Sequence, residues 1–533
     1  MYDVIIVGSG ASALSGAIEA KKSGANVLVL SKTEPTESQS AMAQGGINSV
    51  INPSDSVDNH INDTLKSAHE MAKIEAITKL CESGAETINW LDSIGVPFDR
   101  EDTTIAQRKL GGASFSRACY SQDYTGLKII QTLYEQAIKE GIEIQSEHFL
   151  LNIIVEEKRA VGVTVLNMFD TTVEEYLAPS VIIATGGYAG LYTNFNTNHT
   201  GSTGDGVAAA YRAGANLSNM EFVQFHPTAL KSSNILISES ARGEGGYLVN
   251  SDGERFVDEL APRDIVAREI TKQIESGKEV FLDIRHLGEE FINTHIPQEA
   301  KLAKLYENVD AASELIPIKP AAHYSMGGIE VGLDGMSSIK GLFACGEAAD
   351  AKVHGANRLG GNSLLEVVSF GRSTGLSAYE YAKQKPLDNL HENTEQYKKD
   401  KFFIEGIFGF TKQIDFYQRK EFLGKMFYNN AGVIRNKLGL TSVLAQIRQY
   451  HKEYRFMGVH DQSRTYNTNL KEFIEFGNIL ELSEIILVNA LSRNESRGAH
   501  YREDFPLTNE DYATPIKTWL EDDVLCADFE ANL

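Results

Sequence analysis

Apolar and polar positions along this chain fall into two recurring patterns: short unbroken apolar runs, and longer stretches with apolar residues three or four apart. Tyr2 to Val7 (YDVIIV) is of the first kind and predicts a strand buried on both faces. Gly8-Ser9-Gly10-Ala11-Ser12-Ala13 follows, then a helical stretch through Lys22 and a second strand over Asn26 to Leu30. This is a βαβ unit whose G-x-G-x-x-A turn lets the backbone approach a pyrophosphate at a helix N-terminus. A tight strand–helix turn without ligand would leave the same local pattern. The second strand ends on Ser31-Lys32, where such units usually carry an acidic residue for a ribose. Two further buried strands are predicted within Ser180 to Tyr188 (SVIIATGGY) and Gly341 to Glu347 (GLFACGE). Strands ending in small residues can converge on one elongated ligand at the carboxyl edge of a parallel sheet, and FAD is long enough to need all three.

The pattern also divides the chain. Residues 1–220 and 330–384 share the βαβ character, and residues 221–329 read as a domain inserted between them. From 385 to 501 the second pattern dominates, notably over Phe416 to Tyr454 and Asn469 to Arg497, and predicts a helical domain with a structural role. Residues 502–533 form an acidic tail with Pro506 and Pro515, expected as a wrapped or partner-contacting extension.

Composition narrows the function. A formal charge of −23 over 533 residues repels phosphate backbones, so nucleic acid is not an expected partner. Four scattered cysteines (Cys81, Cys119, Cys345, Cys526) without a C-x-x-C argue against a disulfide scaffold, a cysteine zinc site or a resident iron–sulfur cluster, and no metal is expected. No apolar run approaches the ~18 residues of a membrane helix, and the first strand begins without a basic, apolar and cleavable leader, so a cytoplasmic location is expected.

Candidate chemistry lies in five segments: His226-Pro227-Thr228, the run Ser238 to Gly246 (SESARGEGG), Arg263-Asp264, His323-Tyr324, and His354 to Ser363 (HGANRLGGNS). Singly, each has a bland reading as a structural histidine or a solvated charged loop. Together, two histidines and two or three arginines suit a small dianion, since guanidinium pairs with carboxylate in bidentate geometry. No Ser-His-Asp order, H-E-x-x-H or Walker loop accompanies them. A flavin beside an arginine-rich dicarboxylate pocket points to hydride transfer at the flavin N5.

From Tyr2 to about Pro506 the chain resembles the flavoprotein family of succinate dehydrogenases, fumarate reductases and L-aspartate oxidases. The resemblance rests on AMAQGGI (Ala41 to Ile47), EFVQFHPT, ESARGEGGYLVN, ELAPRDIVAR, AAHYSMGGIE, HGANRLGGNSLLE and SRGAHYREDFP, in that order. It implies an α/β fold: a Rossmann-like FAD-binding domain, an inserted α+β capping domain that closes over substrate, and a C-terminal helical domain. It further implies that His226, Ser238 and Glu239 face one end of a dicarboxylate while His323 and Arg358 grip the other. Arg263 would be the proton donor or acceptor, fed through Glu239 and Arg242. Gly8, Gly10, Ala13, Lys32, Gln39, Gly45, Gly46, Gly186, Asp205, Glu347, Ser363 and Leu364 would contact FAD.

Two departures shape the expectation. Gln39 stands where many respiratory members carry a flavin-linking histidine, so FAD is expected to be non-covalent and fumarate reduction favoured over succinate oxidation. Leu110 stands where aspartate oxidases place a glutamate for the substrate ammonium, and an apolar side chain cannot pair with a cation. The expectation is a flavoprotein subunit interconverting fumarate and succinate, with a separate iron–sulfur protein as electron partner. Partner subunits would also supply any membrane anchor, placing it at the cytoplasmic face. L-Aspartate oxidase is the alternative reading, and a non-catalytic FAD-binding interaction protein the third.

Overall fold

The computed structural model describes residues 2–387 and 392–532. Met1, residues 388–391 of the expected helical domain and Leu533 of the expected tail lie outside the described residues.

The apolar runs form the centre of the molecule. Strands Leu342–Ala344, Ser180–Ile183, Val4–Val7, Val27–Leu30 and Glu143–Gln145 lie side by side in that order, every pairing parallel. The first four are buried along their whole length, as uninterrupted apolar strands covered on both faces must be. The polar edge strand Glu143–Gln145 is invisible to a pattern search because EIQ is too short to show a period. A three-stranded antiparallel sheet, His148–Glu156, Arg159–Asn167 and Thr172–Leu177, follows it.

Helix Ala11–Lys22 follows the first strand and packs directly on helix Asn362–Gln384. That approach requires glycine: a Cβ at Gly375 would stand 2.1 Å from the Gly16 carbonyl oxygen. Both helices start at the carboxyl edge of the sheet, so their N-termini open onto one place.

Between these elements a four-stranded antiparallel sheet is ordered Val223–Leu230, Ile316–Ser325, Val280–Asp283, Tyr247–Asn250. With helices Arg263–Glu275, Glu289–His295 and Pro297–Glu307 it encloses its own apolar cluster, including Leu230, Leu248, Ile270, Leu282 and Ile316. Helices Phe416–Asn430, Lys437–Glu453 and Thr468–Ser492 instead share one continuous core with the parallel sheet. The tail carries strands Ile516–Glu521 and Val524–Phe529, a hairpin that pairs with Leu217–Ser218 and extends a five-stranded sheet. The architecture is α/β, a Rossmann-like unit with an inserted α+β segment and helices toward the C-terminus.

Candidate active site

One open pocket, about 1490 Å³ with the solvent at its mouth included, runs from the carboxyl edge of the parallel sheet to the inserted sheet. At the sheet edge, Gly8 has φ +116°, and a Cβ there would meet the Ala184 carbonyl oxygen at 2.2 Å. Only glycine allows that turn, which brings Ser9 and Gly10 onto the wall beneath the first helix N-terminus. Gly361, Ser363 and Leu364 bring the second helix N-terminus to the same wall. Gly45, Gly46, Gly186, Gln39 and Glu347 also line it. Burial pushes the Glu347 carboxyl up to about 7, and its Oε1 accepts the Ser325 N–H at 2.9 Å.

Lys32 and Asp205 line the sheet-edge end of the cavity as an ion pair at 2.5 Å, and Lys32 also pairs with Glu475 of helix Thr468–Ser492 at 3.0 Å. The helical segment thus supports the cavity wall, although Glu475 lies 443 residues from Lys32. Gln39 Oε1 accepts the His199 N–H at 2.6 Å. Ala13 is placed differently from its expected role: it is fully buried within its helix and is not a lining residue, whereas Ser12, one residue earlier, is.

Three lining side chains the sequence reading did not single out, Ser38, Gln44 and Thr185, have buried oxygens with no hydrogen-bond partner. Buried polar atoms are rarely left so, and these suit a ligand that supplies donors and acceptors along the wall. Long shape, two helix N-termini and orphan polar atoms fit FAD.

The other end of the cavity gathers the scattered charges. His226 sits on strand Val223–Leu230 and His323 on its antiparallel neighbour Ile316–Ser325. The register passes from Gln224↔Tyr324 to Phe225↔Ala322, so His323 is the extra residue of a bulge, a device that re-aims a side chain. The two rings lie 4.9 Å apart between centroids. The Thr228 N–H donates to His226 Nδ1 at 3.3 Å, which puts the ring proton on Nε2. Burial, reinforced by the arginines, holds both imidazoles well below their ordinary range. They are neutral hydrogen-bonding groups, and the positive charge of the site is carried by guanidiniums alone.

Arg263 is the first residue of helix Arg263–Glu275, the end where the helix dipole disfavours a cation. Glu239 compensates: its Oε2 accepts Arg263 Nε at 3.0 Å and Nη2 at 2.5 Å. Its Oε1 accepts the Gly111 N–H at 3.1 Å and lies 3.6 Å from Arg242 Nη2. The three guanidiniums nearby hold this buried carboxyl below its usual range in spite of burial. Arg242 is fully buried behind Glu239 and does not line the cavity. Arg358 is buried too; its guanidinium lies 4.3 Å from the Tyr324 ring centroid and its Nε has no partner. Burial pulls the Arg358 side chain down to about 10.

Gln224, which the sequence reading passed over inside EFVQFHPT, joins the two lining arginines. Its Oε1 accepts from Arg263 Nη1 at 3.1 Å and Arg358 Nη2 at 3.2 Å, while its amide nitrogen donates to Asn357 Oδ1 at 2.7 Å. Ser238 lines the cavity and its Oγ accepts from the Ser240 N–H at 3.1 Å, capping the short helix Glu239–Gly243. Around Glu239, three guanidiniums face one carboxylate, with Glu259 near Arg242 and Glu347 near Arg358, and the two lining arginines keep net positive charge at the cavity wall. Buried charge of that sign calls for an anionic ligand. Leu110 contributes an apolar wall at the same end.

Residues 3–364 match the FAD binding domain family, and residues 420–529 match the family of fumarate reductase flavoprotein C-termini. The chain is 40% identical over 527 residues to the 8-methylmenaquinol:fumarate reductase flavoprotein subunit of Wolinella succinogenes, covering 94% of this chain and 86% of that protein. It is 36% identical to the succinate dehydrogenase flavoprotein subunit of Rickettsia felis, covering 96% of this chain and 91% of that one. Its fold superposes on the E. coli quinol fumarate reductase chain FrdA with a TM-score of 0.93 at 31% identity, over 99% and 96% of the two chains. The aspartate oxidase alternative is not favoured by these relatives. Among the described residues no helix is long and apolar enough to cross a membrane, and no cluster of side chains could hold a metal. With its cavity, its guanidinium cluster and these likenesses, the chain belongs to the fumarate reductase and succinate dehydrogenase flavoprotein family and is an FAD-dependent oxidoreductase.

Proposed function

We propose that the cavity holds a C4 dicarboxylate between two groups of side chains, His226, Ser238 and Glu239 at one end and His323 and Arg358 at the other, with Arg263 as the proton donor or acceptor. The observation that carries the reading is the pair Arg263 and Arg358, both on the cavity wall, hydrogen-bonded to a single amide oxygen of Gln224 and carrying charge that Glu239 does not cancel. FAD, when bound, supplies two-electron hydride chemistry. Arg358 and the histidines orient the diacid. Arg263 gives a proton to fumarate or takes one from succinate, and Glu239 with Arg242 behind it relays the balancing proton between Arg263 and solvent. An arginine is a weak acid by itself; the Glu239 carboxylate, hydrogen-bonded to Arg263 Nε and Nη2, is placed to exchange the proton with it.

FAD is held without a covalent bond in this reading, since Gln39 has no nucleophilic nitrogen and its carbonyl oxygen is engaged by the His199 N–H. Residues 221–329 serve as the capping unit, 385–501 as the helical support and 502–533 as a tail folded back on the flavin unit. Electrons come from a separate iron–sulfur protein, with any membrane anchor supplied by partner subunits at the cytoplasmic face. Leu110 gives a substrate ammonium no counter-charge, which supports fumarate over L-aspartate.

The test is an anaerobic assay of the purified holoprotein with a reduced viologen dye and fumarate, beside an aerobic assay with L-aspartate. Dye oxidation by fumarate without peroxide release from aspartate is expected. Peroxide release with aspartate would overturn the substrate assignment. Acid precipitation should leave all flavin in the supernatant, and flavin retained on the pellet would refute the non-covalent reading.

A further inference from the structure

Three ionisable side chains, Glu299 beside Ser238 and Asp123 and Arg108 near Glu299, have no place in the chemistry above, and none of them lines the cavity. Glu299, in the first turn of helix Pro297–Glu307, is fully buried. Its Oε2 accepts the Ser238 N–H at 3.2 Å, and its Oε1 has no partner. Asp123, equally buried just ahead of helix Thr125–Lys139, accepts the Gln298 N–H at 2.7 Å on Oδ2, with Oδ1 unpartnered. Arg108 stacks 3.6 Å over the Tyr120 ring and donates Nη2 to the Gln122 carbonyl, leaving Nε and Nη1 unpartnered. Among the described residues neither carboxyl group forms an ion pair.

Two neighbouring carboxylates without an ion-pair partner do not both stay charged when buried. Burial raises both carboxyls, but Asp123 has the better claim to the negative charge, because several backbone N–H groups, that of Gln298 among them, favour its anion, whereas Glu299 receives only the Ser238 N–H. Glu299 is left to keep its proton, and burial beside Asp123 pushes its carboxyl up to about 8. Its single backbone contact is with the residue that opens the turn carrying Ser238, Glu239 and Arg242.

We propose that Glu299 is a positioning residue for the dicarboxylate reaction: from the capping segment, and as the neutral acid, it holds the peptide N–H that fixes the Ser238–Gly243 turn against the substrate. The inference deepens the proposed function and rests on the role assigned there to that turn. The groups facing Glu299 are Asp123, Arg108 and the Ser238 peptide. When Glu299 ionises, a second negative charge is buried beside Asp123, and repulsion separates the helix Pro297–Glu307 from the flavin unit. Ser238 and Glu239 then lose their placement, and the dicarboxylate binds less well.

The experiment compares the wild-type holoprotein with Glu299→Gln and Glu299→Ala, following fumarate reduction and thermal melting from pH 5 to 9.5, with flavin content as a check on folding. The wild type should show a rising KM for fumarate above about pH 8. Glu299→Gln, which keeps an acceptor oxygen and cannot ionise, should lack that rise. Glu299→Ala should lose about 10-fold in kcat, as a misplaced catalytic group does, and Gln should recover most of that loss. The melting curves carry a separate sign. A folded value near 8 lies above the ordinary 4.5, so Glu299 contributes stability below 4.5 and loses it as pH rises through 8. The melting temperature of the wild type should therefore fall relative to Glu299→Gln across that window. An alkaline rise in KM that persists in Glu299→Gln overturns the proposal, as does a melting difference that does not change with pH. The melting comparison decides even if the wild type reduces no fumarate, a result that would refute the substrate reading instead.

Discussion

The chemistry of this site turns on how few side chains set its charge. Arg263 and Arg358 share one neutral acceptor, Gln224 Oε1, which holds two like charges side by side without cancelling either. A carboxylate there would cancel positive charge that the diacid would otherwise meet. Gln224→Glu should accordingly weaken dicarboxylate binding by about 10-fold or more, one missing charge partner being worth ~1–3 kcal/mol; the apparent KM for fumarate measures this, and an unchanged KM would place the diacid elsewhere. Arg263→Gln tests a different quantity. It removes the transferable proton as well as one charge and leaves Gln224 and Arg358 in place, so kcat should drop by about 10²–10⁴-fold, well beyond the loss of dicarboxylate affinity, while flavin content stays near wild type. Sequence reading found these arginines in ELAPRDIVAR and HGANRLGGNS, as part of a set suited to a dianion, and took their roles from the family resemblance. It missed Gln224, an ordinary amide within an apolar strand whose importance comes from what stands opposite. It also treated the histidines as part of the cationic set, which depends on burial, and a linear string does not report burial.

At the level of elements, the cavity depends on two helices starting side by side. Helix Ala11–Lys22 and helix Asn362–Gln384 meet where Gly16 and Gly375 leave no room for a side chain. Gly375→Leu should force them apart, destabilising the fold by roughly 1–3 kcal/mol, the usual range for overpacking, and lowering the flavin content of purified protein. Urea unfolding and the flavin-to-protein absorbance ratio measure the two effects. Retained flavin with unchanged stability would show that the helix pair does not set the cavity. The first helix was legible in the sequence, with its glycine turn and its flanking strands. The edge strand Glu143–Gln145 was not, because a three-residue polar strand exists only through its parallel pairing with Val27–Leu30. The tail hairpin is similar: Ile516 and Thr518 are buried by pairing with a strand some three hundred residues earlier.

For the molecule as a whole, burial of neutral groups sets the response to pH. His60, His226, His323 and His500 are all buried, and desolvation holds each below the ordinary histidine range, His60 near 4. Each is uncharged in the folded protein and takes up a proton near 6.5 when unfolded. The unfolded chain therefore binds more protons below that pH, and stability falls as pH drops from 7 toward 5. Glu347 and Glu299 act in the opposite sense, their folded values of about 7 and about 8 lying above 4.5, so they lose stabilising effect as pH rises. The melting temperature should thus peak near neutrality and decline on the acid side, with four histidines outweighing two glutamates. A melting temperature that is flat or rising from pH 7 to pH 5 would contradict the neutral assignment. Composition gave the acidic charge, and the local pattern of apolar runs gave the α/β class that the parallel sheet and its helices bear out.

The sequence by itself determined the elements whose information is local: buried strands, the glycine turn before the first helix, the helical segments, and the residue types available for a dianion. Tertiary structure alone decided which of those residues meet, that His226 and His323 are neutral, that Gln224 joins two arginines, and that Glu299 reaches Ser238. Each of those facts depends on desolvation and on distances between residues far apart in the chain, and neither quantity exists until the chain has folded.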